Sequence, residues 1–296
     1  MTMRFEKWQA LGNDYLIIEH SALPFALSPA RVRRICDPHF GVGSDGILLL
    51  SEPSEPQDVA DLRIFNPDGS EAELSGNGAR EAILYLRQRG WTDADSFSIG
   101  TPAGRVRPTI TGPDTCSVDM GSASLASQDF PGGPPDGRGQ VSVNGHEWGF
   151  RHVSIGNPQC SIRVANEEEL EQLDLGEVGP PICNDPRFPN RTNVSWFVEL
   201  AAAGSPRQEA RIRARIFERG VGETLSSGTG ASGAAVAYAE DQQPRPQSAK
   251  VVVSLDGGEL QVEVGEHLQV TLTGWARPVF AGELSDSLER ELHETE

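Results

Sequence analysis

The sequence predicts an α/β protein of two similar lobes, each a strand-rich, barrel-like sheet around one central helix, related to each other by internal duplication. Length is the first ground, since 296 residues exceed the usual size of a single core and divide more naturally in two. The second is the alternation of short apolar runs with turn clusters. The third is a repeat. RIFN from Arg63 and RIFE from Arg215, Glu71 and Glu223, Ser75 and Ser227, Gly76 and Gly228, and Gly78 and Gly230 all stand 152 residues apart, without a gap. A looser pair, LGND at 11–14 and IGNP at 155–158, lies early in each half.

The elements follow in order. In a first lobe over 1–121, YLIIEH (15–20), GILLLS (46–51) and DLRIFN (61–66) read as strands between turns rich in Pro and Gly. Helices are expected over 29–36 and 79–89, the second with an apolar body of Ala82, Ile83, Leu84 and Tyr85 and a stop at Gly90. The stretch SASLASQDFPGGPPDGRG (122–139) has no periodicity and the composition of a linker or long loop, so the domain boundary is placed there. The second lobe, 140–274, repeats the programme with strands near 148–155, 193–200 and 211–218, a helix over 231–238, and then VVVSL, LQVEV and LQVTL. The tail, about 275–296, is expected to complete the first lobe.

Charge narrows the function. At −18 the chain lacks the basic stripe that displaces counterions from nucleic acid, and it is repelled by anionic membranes. Its only lysines are Lys7 and Lys250, a bias expected either of a salt-adapted source or of genome composition alone. No apolar run is long enough to span a bilayer, and the first 27 residues lack a basic segment followed by an apolar one, so a cytoplasmic protein is expected. Cys36, Cys116, Cys160 and Cys183 are scattered without C-x-x-C spacing, which predicts buried thiols, no metal site and no disulfide framework.

The repeated turns are the candidate chemistry. In each copy a loop leads into a helix that begins Ser, Gly, a small polar residue and Gly. Serine is a favoured N-cap, and the glycines expose N–H groups at the positive end of the helix dipole, where an anion binds. Taken singly, each serine is a cap and nothing more; the duplication argues for a shared cleft that takes a small carboxylate or zwitterion. Asn13, Asn66, Asn77, Asn157 and Asn193 supply amides around it. A competing reading takes Gly228, Gly230 and Gly233 as a dinucleotide fingerprint with Asp256 as its acidic partner. That motif requires glycine directly at a strand end, and here a loop intervenes; no P-loop sequence occurs.

The strings LGNDYLII, DPHFGVGSDG, RIFNPDGSEAELSGNGAR, IGNP, FPNRTNVSWF and FERGVGETLSSGTGA, in that order, closely resemble the diaminopimelate epimerase family over nearly the whole chain. The resemblance implies two α/β lobes of that fold and a cofactor-independent isomerase of the racemase/epimerase type, converting LL- to meso-diaminopimelate on the way to lysine and cell-wall precursors. It implies no cofactor, which agrees with the absence of a lysine near a glycine-rich phosphate turn. It implies Asn13, Asn66, Asn157 and Asn193 as substrate-binding amides, Glu218 and Arg219 at the far end of the substrate, and Gly76, Asn77, Gly228 and Thr229 as the cradle of the α-carboxylate. The expected partner is a diaminopimelate-like amino acid, and a homodimer is a possible assembly.

The departures fall on the chemistry. Where the family has two cysteines, one taking the α-proton and the other returning one to the opposite face, this chain has Ser75 and Ser227. Gln159 replaces the histidine after Gly-Asn-Pro, and Glu81 and Ser232 stand where the family usually has further cysteines. A thiol at a helix N-terminus reaches thiolate near neutral pH, whereas a serine needs a neighbouring base. His152 is a candidate replacement base but reads more naturally as a packed strand residue. Glu81 follows Ser75 by six residues and falls on another helix face. Three accounts stay open: an engineered pair of serines, a serine epimerase in which Glu218 or Glu223 polarises Ser227, and a relative that performs another proton shift or only binds.

Overall fold

The computed structural model describes residues 2–72, 75–202 and 209–295. They form two compact units, Met1–Val118 with Gly274–Glu296, and Asp119–Thr273.

In the first unit β1 (Arg4–Ala10) and β2 (Asn13–Glu19) form an antiparallel pair. Next comes α1 (Pro29–Cys36), capped by Ser28, whose hydroxyl accepts the Arg31 N–H, with proline at its first position. Then follow β3 (Ile47–Ser51), β4 (Asp61–Phe65), the two-residue β5 (Glu71–Ala72), α2 (Gly76–Gln88), β6 (Ile99–Thr101) and β7 (Gly104–Val106). The sheet order is β1-β2-β3-β4-β6-β7, with β5 on β4 and the C-terminal strand Arg277–Glu283 beyond β1. β2 and β3 run parallel in mid-sheet, and their unbroken buried runs Tyr15 to Ile18 and Ile47 to Leu50 reflect cover on both faces. A hairpin, β8 (Pro108–Gly112) with β9 (Thr115–Ser122), follows. The last helix, Asp286–Glu294, sends Leu292 into the same core as Val32 and Ile35.

The second unit holds β10 (Arg138–Val143), β11 (His146–Ser154), β12 (Pro158–Arg163), α3 (Glu167–Gln172), α4 (Leu175–Cys183), β13 (Asn193–Ala201), β14 (Ala210–Glu218), β15 (Gly222–Thr224), α5 (Gly228–Asp241), β16 (Ala249–Leu255), β17 (Gly258–Val264) and β18 (Gln269–Trp275). Its sheet runs β10-β11-β12-β13-β14-β16-β17-β18, with β15 on β14. Stripped of β10, β18 and the two short helices, it has the connectivity of the first unit. From β1 to β7 the pairings are antiparallel, parallel, antiparallel, a short return strand, the central helix, parallel and antiparallel; from β11 to β17 they are the same.

The repeat extends to single bonds. Arg63 pairs with Glu71 at 2.8 Å between β4 and β5, and Arg215 pairs with Glu223 at 2.7 Å between β14 and β15. Both helices are enclosed: α2 buries Asn77 through Leu86 without interruption, and α5 lies against β11, β12, β13, β14, β16 and β17. A helix buried all round has no polar face to display, which is why α5 reads as Ala, Gly and Val. Small side chains let the strands approach. A Cβ on Gly230 would stand 2.8 and 2.9 Å from the methyls of Ile216, and one on Gly233 would stand 2.8 Å from Cβ of Gln159.

Several elements differ from the sequence reading. Both central helices start three residues before the expected alanines, because serine caps offset the poor propensity of the glycines. α4 contains Pro180 and Pro181, residues that argue against a helix from sequence, but capping by Asp174 starts it nonetheless. β1, α3 and the C-terminal helix are further elements that the sequence pattern does not mark. The stretch 122–139 is pinned to the second unit: Ser124 and Ser154 exchange backbone hydrogen bonds at 2.9 and 2.7 Å, Phe130 packs between Phe150 and Phe188, and β10 already opens at Arg138.

Gly230→Ala should therefore cost about 1–3 kcal/mol by overpacking against Ile216. Urea unfolding checks this; an unchanged midpoint would show that α5 has room to shift.

Candidate active site

Each unit has a polar cluster at the start of its central helix. In the first, Ser75 has extended backbone angles (φ −127°, ψ 124°) and its Oγ accepts the Gly78 N–H at 3.1 Å, while the first backbone bond of the helix runs from Ala79 N–H to the Ser75 carbonyl at 2.8 Å. In the second, Ser227 (φ −144°, ψ 121°) accepts the Gly230 N–H at 3.1 Å, and Ala231 bonds back to its carbonyl at 2.9 Å. The N–H groups of Gly76 and Asn77, and of Gly228 and Thr229, thus precede the first intrahelical bond, where a helix attracts anions.

Around Ser75 the amides interlock. Asn77 donates to Asn13 Oδ1 at 3.1 Å, Asn13 donates to Asp45 at 2.8 Å, and the fully buried Arg80 holds Asn77 Oδ1 at 2.6 Å and the Gly76 carbonyl at 3.1 Å. The hydroxyl of Tyr15 donates to Ser75 Oγ at 3.2 Å. Asn66 is engaged elsewhere, donating to Ser70 at 2.9 Å in the turn between β4 and β5.

Around Ser227, Asn157 donates to the Thr229 hydroxyl at 3.3 Å and accepts from Gln159 at 2.5 Å. Gln159 is wholly buried and faces α5 at Gly233. Asn193 accepts the Arg219 N–H at 2.9 Å, and the Arg219 side chain donates to the Asn190 carbonyl at 2.8 Å. The Ser232 hydroxyl returns to the Gly228 carbonyl at 2.8 Å, a local bond with no reach toward the helix start.

Electrostatics separate the candidate bases. Burial raises the Glu218 carboxyl above its ordinary range, opposed by hydrogen bonds from the hydroxyls of Ser227 and Thr224. Glu223 is committed to Arg215, so Glu218 is the carboxyl that meets Ser227. His152 does not replace the family's histidine. It stands opposite Cys160 across the β11–β12 ladder whereas Gln159 stands opposite Val153, so the two project from opposite faces. Its ring packs against Phe130 and Phe188, its Nε2 meets Ser127 Oγ at 2.9 Å, and burial lowers its pKa. Glu81 is fully buried within α2, and burial raises it well above the carboxylate range against the pull of Arg80 and the Tyr15 N–H.

All four thiols are buried. Burial pushes Cys36 up to about 11 and Cys116 up to about 12, and it raises Cys160 as well. Among the described residues no group of three or more His, Cys, Asp and Glu side chains is arranged to hold a metal, and no helix is long and apolar enough to cross a membrane.

Sequence reasoning did not single out Tyr15, Asp45 or Thr224. For Tyr15 a signal existed: in β2 it lies two residues from Asn13 and therefore on the same face.

A sequence model described as diaminopimelate epimerase matches residues 5–126 and 151–278, one segment in each half. The diaminopimelate epimerase of Synechococcus sp. (strain JA-3-3Ab) is 38% identical over 288 residues, covering 95% of this chain and 97% of the relative. Diaminopimelate epimerase 2 of Nostoc sp. (strain PCC 7120) is 37% identical over 290 residues, 97% of each chain. Among solved structures, a phenazine biosynthesis protein of the PhzF family from Bacillus anthracis shares the fold at a TM-score of 0.69 and 19% identity, over 96% of this chain and 99% of that one.

Two outcomes test the cluster. Ser227→Ala should cost about 1 kcal/mol as a lost cap, and it should raise the Glu218 pKa further, because a bond to the charged form disappears; carboxyl NMR titration reads the shift. Glu81 has a folded-state pKa above its unfolded value of 4.5, so the folded state holds its proton longer. Its contribution to stability is therefore present below that value and lost as pH rises through the folded pKa. Glu81→Gln should flatten the decline in urea stability as pH rises above the unfolded carboxyl value; equal slopes would show that Glu81 ionises without cost.

Proposed function

The chain belongs to the diaminopimelate epimerase family, and we propose that within it the protein is a cofactor-independent amino-acid isomerase acting on LL-diaminopimelate or a close analogue, with serines at both proton-transfer positions. One observation carries this reading: each unit caps its central helix with a serine that touches an ionisable side chain, Tyr15 at Ser75 and Glu218 at Ser227. Inverting an α-carbon needs one group to remove a proton and another to deliver one to the opposite face, and the duplication supplies two such groups.

The roles follow from the local chemistry. First-turn N–H groups of Gly76, Asn77, Gly228 and Thr229 receive the α-carboxylate and spread the negative charge that grows there when the α-proton leaves. Asn13, Asn157 and Asn193 orient the amino acid, and Arg219 addresses its distal end. Ser227 takes the α-proton as its own passes to Glu218, whose raised pKa makes it a better acceptor than an ordinary carboxylate at neutral pH. The reading goes with a cytoplasmic step toward lysine and cell-wall precursors.

A second reading, an amino-acid-binding relative that has lost the reaction, draws support from Gln159, whose amide is neither an acid nor a base near neutral pH and is tied to Asn157. The two separate in deuterium oxide. An isomerase washes solvent deuterium into the α-carbon of LL-diaminopimelate, seen as loss of the α-proton signal by NMR, and Ser75→Cys with Ser227→Cys should speed that loss by roughly tenfold or more. Saturable binding with a silent spectrum for both proteins would favour the binder.

A further inference from the structure

We propose that Tyr15 is the proton reservoir of the Ser75 half-site, so that the acid delivering a proton there is a phenol acting through a serine. The inference rests on the isomerase reading above and assigns a residue that reading leaves without a role.

Ser75 Oγ accepts two hydrogen bonds, from the Gly78 N–H at 3.1 Å and from the Tyr15 hydroxyl at 3.2 Å. An oxygen filled in this way keeps its own proton for a third direction, and each bond it accepts polarises that O–H further. Serine alone is still a poor acid. A phenol, near pKa 10, is far stronger and approaches the thiol near 8.5.

The step balances within these two side chains. As the substrate carbanion takes the Ser75 proton, a C–H bond forms and the serine O–H breaks. The oxygen then takes the phenolic proton, remaking the serine O–H and leaving the negative charge on Tyr15 as phenolate. Run backwards, the phenolate draws a proton through Ser75 from the α-carbon.

The fold positions the ring for this task. Tyr15 is 6% exposed in β2, opposite Trp8 of β1. Gly46 makes room beside it: at φ +155°, a Cβ there would stand 2.7 Å from the Tyr15 ring. The charged groups around this position are Lys7, Asp14, Asp45, Arg80 and Glu81; Lys7 bridges Asp14 at 3.2 Å and so offsets one of the carboxylates. Of the other two tyrosines, Tyr85 donates to Glu19 at 2.8 Å, and Tyr238 lies within the last turns of α5. In the LGND and IGNP repeat, the position of Tyr15 is taken in the second unit by Gln159. There Ser227 meets Glu218 instead, so one half-site is built as an acid and the other as a base.

Because the chain has three tyrosines, growth on 3-fluorotyrosine labels each with little change of shape and makes every phenol more acidic. Exchange of the α-proton of LL-diaminopimelate with deuterium oxide is followed against pH for unlabelled, labelled and Tyr15→Phe proteins. The alkaline limb, where the acid has lost its proton, should move to lower pH in the labelled protein and match the 19F titration of the Tyr15 signal, identified by its absence in Tyr15→Phe. Tyr15→Phe should bind the amino acid normally and exchange at least ~100-fold more slowly. Exchange by the unlabelled protein together with an unmoved limb, or with full activity of Tyr15→Phe, would overturn the Tyr15 assignment alone. Absence of exchange in the unlabelled protein would overturn the isomerase reading and this inference with it.

Discussion

Each unit depends on a serine hydroxyl that accepts the N–H group three residues ahead, at 3.1 Å in both copies, and so starts a helix on glycine where glycine alone would fray. The glycines are required from the other side. Gly78 and Gly230 lie under Leu48 and Ile216, strand residues whose side chains leave no space for a Cβ. Serine caps and close-packed glycines are therefore one device: the cap allows the residues that let the sheet close on the helix, and the enclosed helix turns its first N–H groups toward whatever meets its end.

Enclosure also governs the electrostatics. An end of a helix shielded from water favours negative charge more strongly than an exposed one. The same shielding raises Glu218 and Glu81, lowers His152 and keeps the Cys36 and Cys116 thiols neutral. Serines that would be inert in water thus stand beside groups of altered acidity, but the two partners differ. Ser227 has a carboxyl and Ser75 a phenol, a difference between halves that otherwise agree down to the Arg63–Glu71 and Arg215–Glu223 ion pairs. Duplication preserved the scaffold, and the side chains around the two caps diverged.

Much of this was legible in the residues themselves. The constant offset linking RIFN to RIFE and Ser75 to Ser227 announced two copies of one unit, and S-G-x-G before an alanine-rich run announced capped, buried helices. α4 was not legible, because Pro180 and Pro181 break a helix by propensity and only its packing among Leu175, Ile182 and the strands beneath overrides that. Nor was the fate of His152: its place in the chain beside IGNP says nothing of the face it takes, which the ladder register with β12 decides.

The sequence by itself determined the family, the duplication, the candidate amides and the exchange of thiols for hydroxyls, since these are matters of residue type and spacing. Only the tertiary structure decided which ionisable group meets which serine. Tyr15 and Ser75 are sixty residues apart, and their meeting follows from the parallel placement of β2 and β3 beneath α2. The choice of Glu218 over Glu223 follows from strand pairing that gives one carboxyl to Arg215 and leaves the other for Ser227. Proton transfer depends on such contacts within a few ångströms, and contacts at that range are set by packing between elements that the local pattern of residues does not encode.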